Sequence, residues 1–367
     1  METNTTGVAI VGGGLAGLAL ADQLEQAGVD YRVFEARGQL GGRIESATVS
    51  GASFDLGPAW FWSVQPRMVG LCRRLNVPVF EQYSRGEILL EDAERRVHRG
   101  AGYASMEGSL RIEGGAGALI RALAGELPDG RVLLGAPVSG VSADGQLVLA
   151  DGSHWQAGSI VLALPPRIAA GLRFQPTLDA RQVELLDGIP TWMAGHAKFV
   201  AVYEQPFWRA EGLSGDAMSR SGPLMELHDA SPAGGEPGAL FGFYGVPAHI
   251  RRDHENELIE ASLAQLGRLF GTRATQPVRT FLRDWATTPE IASPADHQPP
   301  MHHPAYGVPE ALEGLWDGRL FFAGSEMASH NGGFMEGALE RADAVARKLV
   351  GNTHRAPSDA FPNEKIY

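Results

Sequence analysis

The chain has 367 residues, room for one large or two ordinary domains with a substantial core. Its 31 Lys and Arg against 43 Asp and Glu leave a formal charge of −12, which argues against a nucleic-acid partner, since such binders concentrate positive charge. One cysteine, Cys72, excludes an intramolecular disulfide framework, and no run reaches the ~18 apolar residues of a membrane helix.

The opening "METNTTGVAIVGGG" enters a strand with no basic region or cleavage site, so no signal peptide is expected and a cytoplasmic location is the default. Gly7 to Val11 is a short apolar run, read as a buried parallel strand. Gly12, Gly14 and Gly17 follow as G-x-G-x-x-G, and a helix over 15–26 carries Leu15 and Ala16 in its first turn and ends at Gly28. "YRVFE" is a second strand, closing on Glu35, 18 positions beyond Gly17. Gly12 makes the tight turn, Gly14 admits a pyrophosphate, Gly17 packs helix on strand and Glu35 accepts from ribose hydroxyls. These parts in this order specify a Rossmann-like dinucleotide site. "EARGQLGGRIES" then adds a second glycine pair and an arginine, as if more cofactor lay along the chain. Arg43 there either holds a diphosphate or pyrimidine carbonyl, or is a solvated loop residue.

Together "GGGLAG", "EAR", "GGR" and "DLGPAW" resemble the flavin-containing amine oxidases, the monoamine and polyamine oxidase family. The resemblance implies FAD rather than a nicotinamide, and no second G-x-G-x-x-G appears for one. It also places Ala36, Arg37, Gly41, Gly42 and Arg43, then Gly57, Pro58, Ala59 and Trp60, in the FAD site.

A helix is expected near 65–75, with Cys72 as a small buried hydrophobe. The stretch 79–110 has a hairpin-like, irregular character. "IEGGAGALIRALAGEL" reads as a glycine turn and a helix over 118–126, followed by strands broken at Asp-Gly pairs and by the buried strand "SIVLALPPR", stopped at Pro165 and Pro166. The family has the same order, which implies that Val138 lies over the adenine end of FAD; a plain strand valine is the alternative.

Alternation across 197–203 predicts a strand with Lys198 in apolar surroundings. Such a lysine either snorkels to solvent or is buried, with a lowered pKa suited to holding a water beside a flavin. The segment resembles the family's K-x-x-x-x-Y-x-x-P-F-W stretch through Lys198, Tyr203, Pro206, Phe207 and Trp208, which implies that Lys198 is the flavin-N5 lysine. A helix over 255–270 and a strand ending at "RDWA" follow. Trp285 matches a tryptophan lining the flavin end of the family's site, or is a core residue. "FAGSEMASHNGGFMEGAL" resembles the C-terminal flavin motif, with Gly324, Ser325, Glu326, Gly333, Phe334 and Met335 as cofactor contacts. There Glu326 would bond the ribityl chain, and the Met335 amide, at a helix N-terminus, would face flavin N1 and O2.

Three departures stand out. Phe334 takes one place of the family's paired aromatic rings without a hydroxyl, and the other, near 293–296 in "SPAD", offers no ring; Trp60, Trp62 and Tyr306 are the candidates to compensate. No cysteine stands where covalent members attach FAD, so non-covalent FAD is expected. The segment 79–110 is far shorter than the family's usual insert, implying a more open entrance. Among the histidines, His297, His302 and His303 lack a carboxylate or cysteine at metal-ligand spacing, so no metal site is expected, and His330 is either a pocket border or a surface residue.

The expected fold is α/β, an α+β pair of domains. Residues 1–78, 111–190 and 286–352 form a discontinuous Rossmann-like FAD domain, 79–110 and 191–285 a substrate domain on a mixed sheet, and 353–367 a tail. The expected activity is oxidative deamination of a small-molecule amine with O2, through Lys198, Trp285 and Phe334 as the catalytic set. A C–C desaturase and a flavoprotein without turnover are the alternatives. Neither nucleic acid nor membrane is an expected partner, and a homodimer stays open.

Overall fold

The computed structural model describes residues 4–100 and 104–353; residues 101–103 of the short insert and 354–367 of the tail lie outside the described residues. The strand Asn4–Val11 is the axis of an eight-stranded sheet. It runs parallel to Tyr31–Phe34 on one side and to His154–Leu162 on the other. Val132–Leu133 extends the first side, Leu320–Phe322 pairs parallel with His154–Leu162, and an antiparallel hairpin of Val138–Ser142 and Gln146–Leu149 completes the second with Arg173–Gln175. Parallel pairing buries both faces of the central strands, which is why Val8 to Val11 read as an unbroken apolar run.

Helices Leu15–Gln26, Ala116–Gly125 and Met335–Thr353 pack with this sheet into one core around Ile10, Leu20, Leu119 and Val345. The helix expected over 118–126 starts two residues earlier, directly after Gly115, whose positive φ makes the turn. Helix Pro66–Arg74 carries buried Cys72, and its first backbone amides are taken by a side chain from far along the chain: Arg67 N–H and Met68 N–H donate to the fully buried Glu336 carboxylate at 3.2 and 2.9 Å. A carboxylate there satisfies donors the helix cannot and opposes the positive end of its dipole.

The second sheet has seven strands in the order Arg279–Asp284, Ala197–Tyr203, Gly238–Tyr244, Leu224–Asp229, Leu213–Ser219, Glu87–Glu91 and Val97–Arg99. The last two strands come from the short insert: 87–91 joins 213–219 in parallel and 97–99 pairs antiparallel with 87–91, while the first five pair antiparallel. The strand expected over 197–203 is present, and all seven of its residues, Lys198 included, are buried. Ala197, Phe199, Ala201 and Tyr203 pack with helix Glu255–Phe270, and Val200 and Val202 pack with Phe54 and Leu56 beside the hairpin of Ser46–Val49 and Ala52–Asp55. That hairpin carries the second sheet's inner face against the loops at the end of the first.

Candidate active site

A cavity of about 660 Å³ runs between the two sheets. At one end the strand 4–11 turns at Gly12 (φ +110°), where a side chain would collide with the Ala163 carbonyl at 2.6 Å. Gly14 caps helix Leu15–Gln26 without a side-chain hydrogen bond, so the N–H groups of its first turn have no side-chain acceptor, and Gly12, Gly14, Leu15 and Ala16 all line the cavity. A bare helix N-terminus presents donors and partial positive charge together, an arrangement suited to a diphosphate. Gly17 does not line the cavity: a Cβ there would lie 2.0 Å from the Gly12 carbonyl oxygen, so this glycine lets the helix close on the turn.

Glu35 is buried on the cavity wall and oriented by backbone. Its Oε2 accepts from Gly13 N–H at 2.7 Å and its Oε1 from Arg37 N–H at 2.9 Å. Arg37 reaches on to the Gly42 carbonyl at 2.6 Å, and Gly41 N–H donates to Gly13 O, which ties the loop 36–43 to the first turn. Ala36, Arg37, Gly41, Gly42, Arg43 and, from the hairpin strand, Val138 also line the cavity, as do Gly57, Pro58, Ala59 and Trp60.

Arg43 and Glu326 meet across 283 positions of sequence. The guanidinium donates to Oε1 at 2.5 Å and Oε2 at 3.0 Å, and also to Ser325 Oγ at 2.9 Å. Burial opposes the Arg43 charge, but Glu326 outweighs it and holds the guanidinium above its usual range. Glu326 is fully buried and does not line the cavity; its carboxylate faces Arg43, Ser325 and the Trp192 amide, whereas its neighbours Gly324 and Ser325 do line it. In this geometry the Glu326 carboxylate anchors Arg43.

Lys198 is 2 % exposed and faces the cavity. Its ammonium donates to the Gly57 carbonyl at 3.0 Å and lies 3.9 Å from the centre of the Phe241 ring. Burial pushes its pKa down to about 7, with Asp55 opposing and Arg111 adding to the shift. Beside it Trp285 donates Nε1–H to the Leu56 carbonyl at 3.0 Å, under the Arg283 guanidinium. Lysine and tryptophan thus grip successive carbonyls of the "DLG" loop, where a Cβ on Gly57 would stand 2.0 Å from the Arg43 carbonyl oxygen.

Gly333, Phe334 and Met335 line the cavity where helix Met335–Thr353 begins. Phe334 stacks on His303 with ring centres 4.9 Å apart and 11° between planes, and His303 meets the Trp192 ring edge-on at 4.7 Å. Trp192 lines the cavity, as do Trp60 and Trp62. Tyr306 does not: it stands behind Gly332 and Gly333 and donates its hydroxyl to the Pro190 carbonyl. The stretch 293–296 is a capped 3-10 turn whose buried Asp296 binds Arg167 and the Thr191 amide, well suited to holding the 190–193 loop and offering the cavity nothing. His196, Phe243, Glu226 and Glu290, not singled out from the sequence, also stand on the cavity wall. None lies in a glycine motif, so no local signal marks them.

The family model for flavin containing amine oxidoreductase matches residues 100–350, and that for an NAD(P)-binding Rossmann-like domain matches residues 10–75. The chain is 25 % identical to a probable flavin-containing monoamine oxidase A of Dictyostelium discoideum, over 93 % of this chain and 97 % of that one. It is 26 % identical to a putative flavin-containing monoamine oxidase AofH of Mycobacterium tuberculosis, over 94 % and 97 %. The fold matches that of a putrescine oxidase solved with putrescine, with a TM-score of 0.79 at 21 % identity, over 95 % of this chain and 100 % of the other. This chain belongs to the flavin containing amine oxidoreductase family.

Proposed function

We propose that the protein is an FAD-dependent oxidase that deaminates an amine. The observation that carries this reading is a continuous cavity leading from an uncapped helix N-terminus to a buried, cavity-facing lysine. The donor set fits FAD: amides of the 15–26 helix for the diphosphate, Glu35 for ribose hydroxyls, and a second helix start at Met335 for the electron-rich edge of the ring. When bound, FAD supplies a hydride acceptor for the substrate α-carbon at N5 and, through O2, the route to hydrogen peroxide, while the released imine hydrolyses to a carbonyl product. The sheet around Asn4–Val11 would hold the cofactor, and the seven-stranded sheet would cover the substrate.

The protein's own contribution is position and proton state. Arg43, fixed by Glu326, holds its end of the loop rigid. Near and above pH 7 Lys198 is increasingly neutral and carries a lone pair that can hold a water on the cavity wall. His196 is kept neutral by burial and by Arg251 nearby, so the wall adds no charge there that would repel a cationic amine. A substrate amine that binds unprotonated needs no strong side-chain base. Cys72 sits in helix 66–74 and not on the cavity, which supports non-covalent FAD; flavin that stays with the pellet after acid precipitation would refute that point.

The test is anaerobic mixing of the yellow holoprotein with a panel of monoamines, polyamines and amino acids, followed by a peroxide-coupled screen in air. Bleaching of the flavin by an amine and peroxide release are expected. Failure of every amine to bleach it would overturn the reading and favour oxidation of C–C bonds.

A further inference from the structure

Lys198, Phe243 and Glu226 stand in one register row on three adjacent strands of the second sheet, and all three line the cavity. Residues in such a row leave the same face, so the Glu226 backbone lies two strand spacings, roughly 10 Å, from that of Lys198. Glu226 is held from behind. Its Oε1 accepts from Ser105 Oγ at 3.0 Å and meets His228 Nε2 at 2.8 Å, while His228 Nδ1 meets Asp216 Oδ1 at 2.7 Å. His228 is 1 % exposed and sits edge-on to Trp60, behind the wall. A ring with a carboxylate on each nitrogen donates from both and is an imidazolium. Burial opposes that charge, yet the hydrogen bonds to Asp216 and Glu226 hold the ring above its usual pKa. The chain of charges is negative, positive, negative. One negative charge is left over, and Glu226 Oε2 has no hydrogen-bond partner among the described residues.

We propose that Glu226, held by His228 and Asp216, binds a second cationic group of the substrate, so that the amine oxidised carries a further ammonium several methylenes from its reacting carbon. The inference rests on the amine-oxidase reading above. A carboxylate fixed in a partly dry cavity attracts a cation far more strongly than one in water, and it disfavours substrates that end in an apolar group. A purely structural ion network has no need to leave an unpaired oxygen on the cavity side. Glu226 is the specificity residue in this account, and His228 is a positioning residue that acts through it.

Holoprotein is assayed by peroxide release with diaminoalkanes of increasing length, each against the 1-aminoalkane of the same length. The best diamine should exceed its monoamine partner in kcat/KM by about tenfold or more, and Glu226→Gln should lower that ratio by about ten- to a hundredfold, the range for hydrogen bonds to charged groups. His228→Gln should raise KM for the diamine more than it lowers kcat, whereas a merely structural role would reduce FAD content and all rates together. Monoamine oxidation with no preference for any diamine, or a ratio unchanged in Glu226→Gln, overturns the inference and leaves the oxidase reading standing. If no amine of either kind reduces the flavin, the oxidase reading falls and the inference with it.

Discussion

Replacing Lys198 by Met separates the physics of this site from its packing. The fold carries the Lys198 pKa from 10.5 to about 7, chiefly by burial. At 1.36 kcal/mol per unit, the folded state disfavours the charged lysine by about 5 kcal/mol at pH values below 7. Because the folded pKa is the lower one, the unfolded chain holds more proton between pH 7 and 10.5. The cost is therefore full below pH 7 and fades as pH rises towards 10.5. Methionine has a similar length and no charge, and Asp55 keeps Arg111 as a counter-charge. Wild-type stability relative to Lys198→Met should thus rise by roughly 2–3 kcal/mol between pH 7 and pH 9. Urea unfolding of both FAD-loaded proteins at the two pH values measures the double difference. Parallel pH profiles would refute the claim that Lys198 is desolvated in the fold. In the same variant, peroxide release should slow more than anaerobic bleaching, since the lysine proposed to hold a water on the cavity wall is gone.

Glu326→Ala leaves the Arg43 guanidinium part-buried beside no carboxylate, and should cost about 3–5 kcal/mol in urea unfolding as well as loosening FAD; a loss under about 1 kcal/mol would mean the pair is not structural. Gly17→Ala places a methyl 2.0 Å from the Gly12 carbonyl oxygen, backbone that cannot step aside, so the purified protein should be colourless, and a normal flavin absorbance would count against the packing argument. Trp285→Phe deprives the Leu56 carbonyl of its donor at 3.0 Å and should lower stability by about 1–3 kcal/mol, read as a fall in the thermal midpoint.

The features legible in the residues were those whose cause is local. Gly12, Gly14 and Glu35 could be assigned because a tight turn, a close approach and an acid at a strand end each need a particular residue type within a few positions. Helix 255–270 and strand 197–203 appeared where periodicity put them. What alternation could not show is that strand 197–203 is covered on both sides, because the second cover, Phe54 and Leu56 with their hairpin, comes from more than a hundred positions earlier. That cover decides whether Lys198 snorkels or is desolvated.

Likewise, a family motif pointed to Arg43 and Glu326 separately as cofactor contacts, and only the folded chain brings them together as an ion pair. Glu226, His228 and Asp216 carry no motif at all and read as ordinary strand residues. The sequence by itself determined the dinucleotide turn and the order of elements, since backbone conformation and hydrophobic period are set by neighbours in the chain, and its resemblance to the flavin-containing amine oxidases implied the kind of cofactor. Tertiary structure alone decided the desolvation of Lys198 and the acid on the cavity wall. Desolvation and ion pairing depend on what closes over a group, and here those atoms arrive from distant parts of the chain.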